Sequence, residues 1–198
     1  MQSAYLDYAA TTPTDPEVLA AMMPYFTEVF GNPSSVYSFA VRSRKAIDTA
    51  RGQVAQALNA GPDEIFFTGS GTEADNWALK GTMERLRSKG DHLITTKIEH
   101  HAILHTAEYL EKVEGVRVTY LPVDPDGRVR MEDLEAAMTD KTVLVSVMFA
   151  NNEVGTIQPI GEIGALCRQR GVLFHTDAVQ AAAQLEDRKS TRLNSSHW

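Results

Sequence analysis

Apolar and polar positions along the chain alternate between two periods. Ile65, Phe66 and Phe67 are consecutive apolar residues ended by Gly69, which predicts a buried strand over 64–68. Ala74, Trp77 or Ala78, Leu79, Met83 and Leu86 then recur at helical spacing and predict a helix over 72–89. The same alternation continues downstream. Strands are expected over 92–96, 116–121, 142–149 and 172–176. Helices are expected over 100–113 (Ile103, Ala107, Leu110 and Val113 inward), 131–138 (Met131, Leu134 and Ala137 or Met138) and 159–170 (Ile160, Ile163 and Cys167), and another begins at Ala178. Residues 142–149 are nearly all apolar, as a central strand buried on both faces requires.

The first sixty residues read differently. A helix over 16–29 is capped by Asp15, opens at Pro16 and carries Val18, Leu19, Met22, Phe26 and Val29, with a kink or break expected at Pro24. Gly31–Ser35 is a loop by composition, and a long helix over 38–59 places Ile47, Ala50, Val54 and Leu58 on one face. Strands alternating with helices from residue 64 onward imply right-handed crossovers and an α/β fold, with a largely parallel sheet flanked by helices. The expected domains are an N-terminal arm over 1–15, a partial large domain over 16–186 and an unrelated tail over 187–198. That tail, DRKSTRLNSSHW, has no apolar periodicity.

Composition narrows the picture only a little. The 198 residues are 43% hydrophobic and 23% charged, an ordinary globular balance. A net charge of -7 argues against a nucleic-acid surface but leaves room for a local anion site. Cys167 is the only cysteine, which excludes an internal disulfide; its place on an apolar helix face reads as core. No apolar run approaches a membrane span and no secretory signal is visible, so a cytoplasmic protein is expected.

Chemistry gathers at strand ends, where open α/β sheets bind ligands. Gly69-Ser70-Gly71-Thr72 is a glycine-rich turn opening a helix. Such a turn presents free N–H groups at the positive end of the helix dipole and suits a phosphate; as plain structure it is a turn and a cap. His100 is either a cap or an imidazole able to stack on a flat cofactor or carry protons. Asn152 either satisfies its own loop or lines a site. Asp177 either caps the last helix or pairs with a ring nitrogen that must stay protonated, with Gln180 following it. His101 and His105 share a helix face but suggest no third metal ligand. Gly69, Gly71 and Ala74 also fit a dinucleotide-binding pattern weakly, lacking a well-placed acidic residue on the next strand.

The stretches YLDYAATTPTDP (5–16), FGNPSSVYSF (30–39), FTGSGTEADN (67–76), EHHAIL (99–104), NNEVGTIQ (151–158) and HTDAVQ (175–180) closely resemble the class V aminotransferase superfamily, and within it cysteine desulfurases of the NifS/IscS type. The resemblance runs from about residue 4 to about residue 185 and implies the fold of type I enzymes that use pyridoxal 5'-phosphate. It implies homodimers that convert L-cysteine to L-alanine and an enzyme persulfide, which serves sulfur-acceptor or scaffold proteins of iron–sulfur assembly. It assigns Gly71 and Thr72 to the phosphate, His100 to ring stacking and proton transfer, Asn152 and Gln180 to the ring-oxygen side, and Asp177 to the pyridine N–H. In some relatives an alanine stands where this chain has Gly71. The family's Schiff-base lysine, in a Ser-x-His-Lys segment, and its persulfide cysteine find no match: Lys189 and Ser195-Ser196-His197-Trp198 lack the context, and Cys167 does not correspond. This departure implies an inactive polypeptide. Other readings are a selenocysteine lyase, an aminotransferase of the same superfamily, or a non-catalytic binding fragment.

Overall fold

A computed structural model describes residues 4–8 and 10–182. The expected tail over 187–198, Lys189 included, lies outside them. The chain divides into two compact units, Met1–Phe66 and Phe67–Trp198.

The first unit is helical. Asp15 Oδ1 accepts the Glu17 N–H at 2.7 Å and starts α1 (Pro16–Met22), and α2 (Pro24–Thr27) follows. Of the kink or break expected at Pro24, the break is what forms, from its missing N–H and its ring, and it divides the helix in two. Helix α3 (Ser38–Ala57) comes after a loop held by the Arg44 guanidinium, which donates to Pro33 O and Ser35 O. The face expected to be inward is not: Ile47, Val54 and Leu58 are exposed, while Ala40, Ser43 and Ala55 are buried. Small side chains mark where this helix lies closest to its neighbours; a Cβ on Gly31 would stand 2.7 Å from the backbone of Phe39.

The strand expected over 64–68 is absent from the described sheet. Pro62–Glu64 form a 3-10 turn, and residues 65–68 run on with Phe66 and Phe67 more than half exposed. Apolar β-formers supply only propensity, and the described four-stranded sheet is built from later segments of the chain.

The second unit contains α4 (Gly71–Arg85), β1 (His92–Thr96), α5 (His101–Glu114), β2 (Arg117–Leu121), α6 (Met131–Ala137), β3 (Thr142–Ser146), α7 (Ile160–Arg170) and β4 (Leu173–His175). The four strands are all parallel in the order β2-β1-β3-β4. Leu79 and Met83 of α4 and Ile103, Ala107 and Leu110 of α5 pack with Leu93 and Leu144 on one face. Leu134 of α6 and Ile163 and Cys167 of α7 pack with Ile94, Leu121, Val145 and Val147 on the other. A parallel sheet covered on both sides is what its apolar strands require. Cys167 is core, and burial pushes its thiol up to about 12.

The path leaves β1 toward β2 in one direction and returns to β3 on the other side. The reversal between β1 and β3 opens a crevice at the carboxyl ends of the strands, where open α/β sheets bind ligands. Of the alternatives Trp77 or Ala78, Ala78 packs against the core and Trp77 is exposed, as is Val113, expected inward; Asp75 and Thr82 take inward places on α4. Left-handed glycines Gly115 and Gly171 end α5 and α7.

Candidate functional site

The crevice is built by side chains that tie one strand end to the next. Glu99, just beyond β1, is buried; Oε1 accepts from Thr96 Oγ1 at 2.7 Å, and both carboxylate oxygens accept the Met148 N–H beyond β3. Asn151 Nδ2 donates to Ile98 O at 2.9 Å, while its Oδ1 accepts the N–H groups of Glu153 and Val154. The Phe149 N–H donates to Asp177 O at 2.8 Å, joining the β3 and β4 ends. A Cβ on Gly71 would lie 3.2 Å from Val179 Cγ2, so the start of α4 abuts the turn after Asp177. His100, Asn152, Asp177 and the α4 N-terminus therefore stand on connected segments of one sheet edge.

Each site candidate has its structural role resolved. The cap of α4 is Ser70, whose Oγ accepts the Glu73 N–H at 3.2 Å, while Glu73 Oε2 accepts the Gly69 N–H at 2.6 Å. This leaves the backbone N–H groups of Gly71 and Thr72 exposed at the first turn of a 15-residue helix, with no protein acceptor among the described residues. His100 does cap α5: its Nδ1 accepts the Ala102 N–H at 3.1 Å. A neutral ring then carries its proton on Nε2; the residue is exposed, its ring tilted against that of His101 with centroids 6.2 Å apart. The loop-satisfying role expected as one reading of Asn152 falls to Asn151, and Asn152 is half-buried beside it. Asp177 Oδ1 accepts the Val179 N–H at 3.0 Å and opens a turn over 179–182, where the sequence predicts a helix from Ala178; Oδ2 has no protein donor among the described residues. Gln180 is exposed in the turn that follows. His101 and His105 stack on each other, centroids 5.2 Å apart.

Sequence reasoning missed the polar groups beneath these residues. Asp75 and His175 face each other across α4 and β4, Nε2 to Oδ1 at 3.6 Å, and His175 Nδ1 lies 2.9 Å from Ser146 Oγ. Burial and the nearby Asp177 push Asp75 up to about 7. Burial, only partly offset by the bonds from Thr96 and Met148, pushes Glu99 up to about 7. Burial also holds His175 down at about 4, with Asp177 opposing the shift. Among the described residues no lysine or arginine pairs with Asp75, Glu99 or Asp177. The edge thus concentrates negative potential below a helix N-terminus that offers two free donors. An elongated ligand with an anionic end and a cationic, hydrogen-bonding end matches both features. The available signal was polar residues on otherwise apolar elements: His175 two places before Asp177 on the same strand face, and Asp75 on the buried stripe of α4.

Residues 4–187 match the family model described as aminotransferase class-V. Cysteine desulfurase IscS of Clostridium botulinum (strain Kyoto / Type A2) is 62% identical over 185 residues, covering 93% of this chain and 46% of that protein. Cysteine desulfurase IscS of Methanosarcina thermophila is 54% identical, covering 91% and 44% respectively. Among solved structures, a NifS-like protein superposes with a TM-score of 0.85 at 42% identity, covering 88% of this chain and 48% of that one. The structure of SspA in complex with cysteine gives 0.87 at 39% identity, covering 90% and 51%. The chain spans about half the length of the curated relatives it matches.

Proposed function

This chain belongs to the aminotransferase class-V family, within its NifS- and IscS-like members, and from that premise we propose that its sheet edge binds pyridoxal 5'-phosphate in the service of cysteine desulfuration. The residues fit the cofactor. The unpartnered N–H groups of Gly71 and Thr72 receive the phosphate at the positive end of α4. Oδ2 of Asp177 accepts the pyridine N–H, and the Asp177 carboxylate favours a protonated ring nitrogen. His100 lays its ring on the pyridine, its orientation fixed by the bond from Ala102 N–H, and exchanges protons through Nε2. Asn152 and Gln180 contact the ring-oxygen side. When bound, the cofactor supplies an electron sink conjugated to the substrate α-carbon.

The substrate is L-cysteine, the ligand named for the SspA structure. In the whole protein the proposed reaction would break its C–S bond, pass the sulfur to a thiol as a persulfide and release the carbon skeleton as L-alanine; the buried Cys167 is not that thiol. The protein works as a cytoplasmic homodimer that hands sulfur to acceptor or scaffold proteins of iron–sulfur assembly. Among the described residues no helix is long and apolar enough to cross a membrane.

The observation that carries this reading is the pairing of two free helix-start donors with an open carboxylate on the same edge. Titrating the chain with pyridoxamine 5'-phosphate, which needs no covalent anchor, tests it. Saturable binding that weakens in Asp177→Ala and on competition by inorganic phosphate is expected. Binding that neither change affects refutes it.

A further inference from the structure

Helix α4 meets the β4 end at two points one helical turn apart. Gly71 abuts Val179, and Asp75 faces His175. The same spacing of four separates 175 from 179 on the other side, and Asp177 lies midway. Asp75 is the deeper point. Its side chain is only 8% exposed, and among the described residues the group it faces is His175 Nε2, at 3.6 Å. His175 is anchored in turn to Ser146 of β3. A largely buried carboxyl set against one imidazole calls for an explanation in what the pair aligns. As the protonated acid, Asp75 donates toward Nε2 while Nδ1–H donates to Ser146 Oγ, and the chain α4–β4–β3 closes with no net charge.

We propose that Asp75 is a positioning residue: through His175 it holds the phosphate-facing start of α4 in register with the strand end that carries Asp177. The proposal rests on the pyridoxal-phosphate reading for its ligand, but not for its geometry. Neither Asp75 nor His175 touches the ligand; they set the separation between the donors at Gly71 and Thr72 and the acceptor at Asp177. A ligand held at both ends feels that separation, whereas one held at a single end does not.

The test uses the whole chain with Asp75→Leu, Asp75→Asn and His175→Gln. In the ligand-free protein, Asp75→Leu is expected to speed hydrogen exchange at Ala74 and at the Val179, Ala181 and Ala182 amides, leaving β1 and β3 protected as before. Affinity for pyridoxamine 5'-phosphate is expected to fall roughly fivefold or more, while pyridoxamine and inorganic phosphate bind as they do to the unaltered chain. Asp75→Asn, which keeps a hydrogen-bonding end in place, restores both. Unchanged exchange at those four amides overturns the proposal, as does a parallel loss of both half-ligands. If the unaltered chain binds no pyridoxamine 5'-phosphate, the functional reading fails and the exchange result alone decides this one. Should Asp75→Leu not fold, His175→Gln is read in the same way.

Discussion

The two carboxylate oxygens of Glu99 lie 3.0 and 3.1 Å from the same backbone nitrogen, that of Met148. One buried side chain thereby spans the crevice between β1 and β3, where the direction of the sheet reverses. Replacing Glu99 by Leu leaves the Met148 N–H buried without an acceptor, at a cost of about 1–3 kcal/mol. Glu99→Gln keeps one oxygen for that N–H and is expected to cost less. Urea denaturation of the two variants measures the difference; equal midpoints for Glu99→Leu and the unaltered chain refute the bridging role.

Stability should respond to pH in a defined direction. Asp75 and Glu99 titrate in the folded protein near 7, above their ordinary 3.8 and 4.5, so the folded state holds more protons than the unfolded chain between those limits. Their contribution is present below the ordinary values and is lost as pH rises through about 7. His175, lowered from 6.5 to about 4, acts oppositely, but only between those values. From pH 6.5 to 8 the carboxyl effect is unopposed, and the ligand-free chain is expected to lose stability across that interval. Glu99→Gln should flatten the slope; denaturation midpoints at four pH values suffice.

Ligand binding should release protons. A pyridinium N–H placed against Asp177 offsets the charge that helps raise Asp75 and Glu99, so both acids ionise more readily in the complex. Calorimetry in buffers of different ionisation enthalpy near pH 7 is expected to show release of a fraction of a proton per pyridoxamine 5'-phosphate bound. Asp177→Asn should abolish most of it and weaken binding by roughly tenfold or more, the scale of one hydrogen bond to a charged group.

Two glycines should differ sharply. A Cβ on Gly71 would come 3.2 Å from the tip of Val179, which is largely exposed and free to turn, so Gly71→Ala is expected to change stability by less than about 1 kcal/mol. A Cβ on Gly90 would stand 2.2 Å from the carbonyl oxygen of Lys141, a backbone atom that cannot move without parting β1 from β3. Gly90→Ala is expected to cost about 1–3 kcal/mol or more. Thermal melts of the two variants check both expectations.

The β1-to-β4 half of the fold was legible because its signals are local. The run at 92–96, the run expected over 142–149 of which 142–146 is strand, and the i, i+3, i+4 stripes of α5 and α7 each follow from neighbouring residues. The segment at 64–68 was misread because Phe66 and Phe67 report propensity, whereas a strand needs a partner elsewhere in the chain. The α3 face was misread because burial there selects the small residues Ala40, Ser43 and Ala55 at close approaches, which a scale of hydrophobicity underrates. At the site, the residues at strand ends could be named from the sequence. Asp75 and His175 could not, since their meaning lies in a cross-element encounter that neither local sequence encodes.

At the opposite rim of the sheet, His92 reaches Thr142 Oγ1 through Nδ1 at 2.7 Å and Thr119 Oγ1 through Nε2 at 2.9 Å. Burial and the Arg117 charge hold the imidazole below its ordinary pKa, and hydroxyls accept or donate with equal ease. This clasp can exchange tautomers without shifting a heavy atom, and it holds the neutral ring to lower pH than a free histidine would. The sheet is thus fastened at the margin away from the ligand by groups that resist taking a proton, while the ligand-facing margin changes its proton count.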